Sequence, residues 1–372
     1  MTVEYYHPGL RGVIAGESNI SRIADGLEYR GYSVHDLAEG ASFLEVAYLL
    51  LREELPSEDE LADFRSMIVE ASELPPAIPI VLETLPFHSS PAEVLRTGIS
   101  LLAHFNPQAG DAVLDSGVAS ATRLLATVPM ILAAWHRLRH GLAPVLPDQG
   151  LGYIGNILQM HTGEVPSALH ERALETLFIV CAEHEFNPSS YVSRIAGSTM
   201  SGIEGAVLAA LSVFVGPAHN CGGEDVDLFL KEIPSSLGAA DAVRQRVRET
   251  HAVPGFGGRL YDECDPRAAI LERICADLAE AAGHGDLEDT ADAVERAVWE
   301  ELHLPPNVDW PMARLLHYLG LPPDLHAGMF VCSRLSGWCA HALEQAESGQ
   351  VIRPRARYRG IENRSFVPIH KR

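Results

Sequence analysis

An almost all-α fold follows from three observations on this chain. Helix-start devices recur ahead of apolar runs, several segments carry apolar residues at helical spacing, and strand signals are few. The Ser-x-x-Glu capping box pairs a serine side chain with a backbone amide three residues on while the glutamate reaches back, satisfying two orphan donors of a helix start. It occurs at Ser42-Phe43-Leu44-Glu45 and again at Ser57-Glu58-Asp59-Glu60. Ser90-Pro91-Ala92-Glu93 repeats it with proline at the first helical position, where its missing N–H costs nothing.

Taken in order, residues 10–20 and 27–33 are the candidate short strands, with glycines between them, and predict a small N-terminal β-hairpin. The run from Val46 to Leu51 reads as a helix, and Glu54-Leu55-Pro56 as the short stop joining it to the next. Leu169, Ala173, Leu174, Leu177 and Val180 share one helical face, as do Val294, Ala297, Val298 and Leu302. Residues 203–215 are rich in Ala, Leu, Val and Gly with almost no charge, which predicts a helix buried on most sides. Pro/Gly breaks at Gly216-Pro217 and Pro322-Pro323 bracket a segment able to move as a unit. Neither an internal repeat nor a low-complexity linker is present.

With 372 residues the chain is long enough for one large domain and a second smaller one. Its net charge of -22 argues against nucleic acid and anionic membrane as partners. An anionic substrate therefore needs arginines gathered locally against the global field. The six cysteines form no CxxC pair or zinc spacing, the first residues have no apolar signal-peptide core, and no apolar run approaches a membrane span of roughly 18 residues. These features lead us to expect a reduced, cytoplasmic protein with free thiols.

The segment Pro254-Gly255-Phe256-Gly257-Gly258-Arg259-Leu260-Tyr261, followed by Asp265-Pro266-Arg267, resembles a signature of the citrate synthase family. Further motifs extend the resemblance over nearly the whole chain, in the family's short bacterial form. They are Gly9-Leu10-Arg11-Gly12-Val13, Leu27-Glu28-Tyr29-Arg30-Gly31-Tyr32, Glu183-His184-Glu185-Phe186-Asn187, Ser193-Arg194, Gly216-Pro217-Ala218-His219, Asn307-Val308-Asp309-Trp310, Ser333-Arg334-Leu335-Ser336-Gly337-Trp338 and Ile352-Arg353-Pro354-Arg355. What the resemblance implies is an α-helical homodimer. Its large domain would comprise residues 1–218 and 323–372, its small domain residues 219–322, and a cleft that closes on substrate would lie between them.

The resemblance also implies a reaction: an acyl-CoA, with coenzyme A entering as part of a substrate and no further cofactor, condenses with a 2-oxo dicarboxylate. Asp309 lies where the family's base lies and His219 where its enol-stabilising imidazole lies. A proton beside a thioester is a very weak acid, so its removal needs both a carboxylate base and a donor to the forming enolate oxygen. Without the resemblance, Asp309 reads as a helix N-cap and His219 as a loop histidine. Arg267, Arg353 and Arg372 of the partner subunit match the carboxylate clamp, for which the planar guanidinium is suited, and His184 matches an acceptor-binding residue. Arg259 matches a coenzyme A contact.

The departures cluster. Gly258 stands where the family has a histidine that donates to the acceptor's keto oxygen; removing such a donor costs roughly a hundred- to a thousandfold in rate. Asn220 and Cys221 stand where the family has glycines, and Asp262 where it usually has a lysine near the coenzyme A phosphates. Two readings follow. Either the enzyme is active, with acceptor activation rebuilt or its specificity altered, or it is a non-catalytic relative that binds a di- or tricarboxylate. No metal-ligand spacing appears.

Overall fold

The computed structural model describes residues 6–10, 12–24, 26–106, 114–219, 221–258, 260–261, 264–283 and 285–372. Within them the chain is a helical assembly with one small sheet. Strands β1 (Ser21–Ile23), β2 (Leu27–Tyr29) and β3 (Tyr32–Ser33) run antiparallel in that order, with Ser21 opposite Tyr29 and Glu28 opposite Ser33. Arg30 and Gly31 both have positive φ (49° and 85°), the mirror-image turn that suits two-residue hairpins. The expected strand at residues 10–20 is not there; its place is taken by β1, just beyond. Leu10 and Ile14 are 53% and 88% exposed, and of this segment Ile20 at its end is what enters the core, so the earlier residues have no face to bury and no ladder to join.

Sixteen helices make up most of the described chain. Helices α1 (Val34–Gly40), α2 (Phe43–Arg52), α3 (Glu58–Ala71), α4 (Ala77–Thr84) and α5 (Pro91–His104) form the first block. All three predicted capping boxes are formed: the backbone amides of Ser42, Ser57 and Ser90 donate to Glu45, Glu60 and Glu93 at 2.8, 2.8 and 2.9 Å. The stop after α2 is Glu53, left-handed at φ 76°. Helices α6 (Leu114–Arg139), α7 (Tyr153–Thr162), α8 (Ala168–Cys181), α9 (Pro188–Gly197) and α10 (Ile203–Phe214) follow. Then come α11 (Gly223–Lys231), α12 (Ala239–Thr250), α13 (Pro266–Ala282), α14 (Asp286–Leu302), α15 (Asp309–Tyr318) and α16 (His326–Glu347). By length and composition Ser116–Arg139 of α6 passes for a membrane span, yet it is mostly buried within the fold, packed by α3, α5, α7, α10 and α16.

Helix α16 is the spine, buried at nearly every position and in contact with α2, α5, α6, α8, α9 and α10. Two glycines let it approach its neighbours. A Cβ on Gly197 of α9 would lie 2.6 Å from the Ala342 carbonyl oxygen, and one on Gly337 would collide with the Ala182 carbonyl and the Glu183 carboxylate. The second contact presses α16 against the end of α8 and fixes the loop that carries His184.

The buried apolar residues fall into two clusters. The larger gathers side chains from α1–α8, α10, α13, α15 and α16, with the partly buried Ala196 of α9 packed against it. The smaller holds Val226, Phe229, Val243, Val253, Val294, Val298 and Trp310 among others. Helix α13, although it lies between residues 219 and 322, buries Leu271, Cys275 and Leu278 in the larger cluster. At the start of α15, Val308 and Met312 face the larger cluster while Trp310 and Ala313 face the smaller one, so Asp309 sits at the junction of the two.

Candidate active site

His219 ends the Gly216-Pro217-Ala218 turn that follows α10, its amide donating to the Gly216 carbonyl at 2.8 Å. Its ring is held on two sides. Phe214 meets it edge to face at 5.9 Å, and its Nε2 accepts from the Ser189 amide at 3.2 Å and contacts Ser189 Oγ at 2.9 Å. Ser189 is itself fixed at the start of α9, where Oγ touches Asn187 Oδ1 at 2.8 Å and receives the Trp338 indole N–H at 3.1 Å. A backbone amide only donates, so Nε2 must carry a lone pair and the imidazole proton resides on Nδ1. Burial, aided by the nearby Arg334 guanidinium, pushes His219 down to about 4. His219 is therefore a neutral donor at neutral pH, with its N–H aimed away from Ser189.

Asp309 opens α15, but its side chain does not cap that helix. Its amide is taken by Asn307 Oδ1 at 2.9 Å, and its carboxylate lies instead against the Gly222 amide and the Cys221 thiol, both of which favour its charged form. Gly222 lies against the carboxylate so closely that a Cβ there would stand 3.0 Å from Oδ2. Burial pushes Asp309 up to about 6, with the Gly222 amide and Arg267 working in the other direction. The thiol of Cys221 is buried and pushed well up by burial and by Asp309, so it stays protonated and serves as a donor rather than a nucleophile.

The glycine-rich signature explains how Asp309 is placed. Residues 255–257 are zipped to the loop before α15: the Gly257 amide donates to the Pro305 carbonyl at 2.8 Å, the Asn307 amide to the Gly255 carbonyl at 2.8 Å, and Asn307 Nδ2 to the Gly257 carbonyl at 3.0 Å. Gly255 has φ +82°, and a Cβ there would meet Val226 and Trp310 at 2.9 and 3.0 Å. Phe256 packs on Trp310 with ring centroids 4.7 Å apart.

Beside this base and donor lies a buried cationic cluster. Arg267, in the first turn of α13, is held fork to fork by Asp265, Nε to Oδ1 at 2.9 Å and Nη2 to Oδ2 at 2.7 Å. Burial disfavours its charge, but Asp265 more than offsets this and holds the guanidinium firmly protonated. Arg334 of α16 donates from Nε to the Cys181 carbonyl at 2.6 Å and stacks over Phe330 at 4.7 Å. Its Nη2 is buried with no hydrogen-bond partner among the described residues, an N–H group an anionic ligand would satisfy. His184, on the loop between α8 and α9, meets the Tyr261 hydroxyl through Nε2 at 2.8 Å. Burial, Arg267 and Arg334 push it well below the usual histidine range, so it too is neutral.

The neighbouring motif residues form a brace. The Glu183 carboxylate is fully buried; burial alone would raise it, yet His341, with Nε2 at 2.9 Å, keeps it below the usual range. Arg194 joins the same network, donating to Gln345 at 3.0 Å and Glu344 at 2.5 Å.

The fold thus brings Asp309, His219, His184 and Arg267 into one neighbourhood. It adds Arg334, to which the sequence reading gave no role. The available signal was its place in the Ser333-Arg334-Leu335 motif; its burial beside His184 is a tertiary fact. Gly258 is exposed on the same neighbourhood's loop, without positive φ, and a Cβ there would meet nothing within 4 Å. Neither backbone nor space requires glycine at that position. Arg353 and Arg372 are exposed in the C-terminal arm and do not join the cluster within one protomer; Arg372 donates to its own Val367 carbonyl at 2.9 Å. Arg259, Asn220 and Asp262 lie outside the described residues. Among the described residues no group of three or more His, Cys, Asp or Glu is placed to hold a metal ion.

Residues 9–355 match the family model described as "Citrate synthase, C-terminal domain". The chain is 36% identical to the 2-methylcitrate synthase of Shewanella oneidensis over 98% of its own length and 97% of that protein. It is 36% identical to citrate synthase 2 of Bacillus subtilis, with 98% of each chain covered. Among solved structures, citrate synthase from Thermoplasma acidophilum in ternary complex with carboxymethyl coenzyme A and oxaloacetate superposes with a TM-score of 0.90 at 25% identity, covering 100% of both chains.

Proposed function

The chain belongs to the citrate synthase family, and on that premise we propose that it condenses acetyl-CoA or a close acyl-CoA with oxaloacetate or a related 2-oxo acid, then hydrolyses the thioester. The observation that carries this reading is the pairing of a carboxylate raised to about 6 with a neutral imidazole whose proton lies on Nδ1. A base near neutrality takes a weakly acidic proton better than an ordinary aspartate, and a neutral imidazole donates without first losing a charge.

Asp309 takes the α-proton, and the C–H electron pair becomes the carbon–carbon π bond of the enol. Density shifts onto the thioester oxygen, which His219 Nδ1–H stabilises. The enol carbon then adds to the keto carbon; the new C–C bond forms, and the keto π pair moves onto its oxygen, which ends protonated. Water attacks the thioester carbonyl, the C–S bond breaks, and the products are a carboxylate, a proton and the free thiol of CoA. Arg267 and Arg334 hold the acceptor's carboxylates, with His184 beside them. Arg353, together with Arg372 of the partner subunit, completes the clamp in a homodimer.

Residues 219–322 act as the small domain, closing on the remainder, and six free cysteines accord with the reducing cytoplasm. The non-catalytic alternative finds no specific support, since the relatives compared above carry synthase names.

The test is release of free thiol when purified protein meets acetyl-CoA or propionyl-CoA with oxaloacetate or other 2-oxo acids. Turnover with at least one pair is expected. Absence of thiol release with every pair, together with measurable citrate binding, would overturn the reading in favour of the binder.

A further inference from the structure

A 2-oxo acid held by Arg267 and Arg334 beside His184 presents its keto oxygen to the same cluster, and that oxygen gains negative charge as the C–C bond forms. It needs a donor. The cluster's other N–H and O–H groups are largely committed. His219 carries its proton on Nδ1, assigned above to the thioester oxygen; two of the three Arg267 nitrogens face Asp265; and Arg334, with Nε on the Cys181 carbonyl, keeps its unpartnered Nη2 for an acceptor carboxylate. The buried Tyr29 hydroxyl is spent on the Val180 and Glu183 carbonyls, at 3.0 Å each. Position 258 carries no side chain at all, and the space its Cβ would enter is open.

We propose that the Tyr261 hydroxyl, three residues along the same loop and 2.8 Å from His184 Nε2, is the hydrogen-bond donor that polarises the acceptor's keto oxygen. The inference rests on the condensation reading above. With the imidazole proton on Nε2, His184 donates to the phenolic oxygen, and the phenolic hydrogen is left free to point at the ligand. The two rings lie 5.7 Å apart, tilted by 56°, so the contact runs through ring edges. Burial raises the Tyr261 hydroxyl above the usual phenol range, and Arg267 beside it acts in the opposite sense. The group remains a protonated donor through the working pH range, and the role requires no proton to leave it. Arg267 and Arg334, which hold the acceptor's carboxylates in the reading above, lie within electrostatic reach of this hydroxyl, as do Asp265 and Glu185.

The test is a double-mutant cycle on thiol release, with Tyr261→Phe, Gly258→His and the pair together. Tyr261→Phe should lower kcat by about a hundredfold, while KM for oxaloacetate moves less than about threefold. In the Gly258→His background the same change should cost less than about tenfold, because the new imidazole shares the role. Exchange of acetyl-CoA methyl protons with D2O, measured with S-malate filling the acceptor site, should be unchanged by Tyr261→Phe. A kcat within about threefold of wild type, a rise confined to KM, or an equal loss in exchange would overturn the proposal. If the phenylalanine variant does not fold, 3-fluorotyrosine at position 261 replaces it. A more acidic phenol should raise kcat about twofold, and an unchanged kcat would count against the donor role. A wild type that releases no thiol overturns both readings; an active wild type insensitive at position 261 overturns this one alone.

Discussion

Asp309 answers to two opposed demands. Burial makes it a better base by raising it to about 6, and the same burial makes its charge costly to the folded state. Condensation needs the deprotonated carboxylate, so kcat/KM should fall tenfold per pH unit below about 6. His219, pushed down to about 4, stays neutral through that limb. The stability effect has the opposite sense. Because the folded state holds this proton more tightly than the ordinary value of 3.8, stability is lost as pH rises from about 4 to 6 and then levels off. Asp309→Asn should abolish turnover, by about a thousandfold or more, and raise stability at pH 8 by about 2–3 kcal/mol. Thermal melts of the two proteins should converge near pH 4; a variant less stable than wild type at pH 8 would contradict this. Arg334→Gln should raise KM for the 2-oxo acid by about tenfold or more, with enol formation spared, because a charge-assisted pair to the ligand is lost. Steady-state kinetics with the acceptor varied would show it. Residue types and motif order were enough to find Asp309, His219, His184 and Arg267. Arg334 escaped because its unpartnered Nη2 depends on the packing of α16 against α8, which no local pattern encodes.

At the scale of elements, the local code was legible where both halves of a device sit within a few residues. Ser42 with Glu45, Ser57 with Glu60 and Ser90 with Glu93 each close as expected. The strand expected at residues 10–20 failed because Leu10, Val13 and Ile14 stay exposed, and only Ile20 at its end reaches the core, just before β1. Close helix approaches were invisible in the sequence. Nothing local marks Gly197 as the point where α9 touches the backbone of α16 at Ala342. Gly197→Ala should therefore destabilise the protein by about 1–3 kcal/mol, despite alanine's better helix propensity. Denaturant titration would measure it, and an unchanged midpoint would mean the two helices separate freely. The pair also carries Ser193 to the Trp338 carbonyl at 2.7 Å and Arg194 to Gln345 at 3.0 Å, so the Ser193-Arg194 motif braces the fold.

On the scale of the whole molecule, a chain of net charge -22 concentrates Arg267 and Arg334 where an anion must bind, and pairs the first of them with Asp265. The C-terminal arm does the reverse, leaving Tyr358, Phe366 and Ile369 67%, 82% and 77% exposed beside Arg353 and Arg372. The proposed homodimer gives those side chains a surface to cover. A chain truncated after residue 350 should sediment with a weakened dimer and lose acceptor affinity; an unchanged sedimentation profile and KM would remove the arm from both roles. Family and helical class were readable from motif order, whereas the effect of glycine at position 258 was not, because it turns on the open space around that loop. Thiol release from acetyl-CoA or propionyl-CoA with oxaloacetate, wild type against Asp309→Asn at pH 8, tests whether this site condenses an acyl-CoA with a 2-oxo acid. Acceptor-dependent release by the wild type and about a thousandfold less by the variant are expected; equal release by the two, or none by the wild type with either thioester, would rule out condensation at this site.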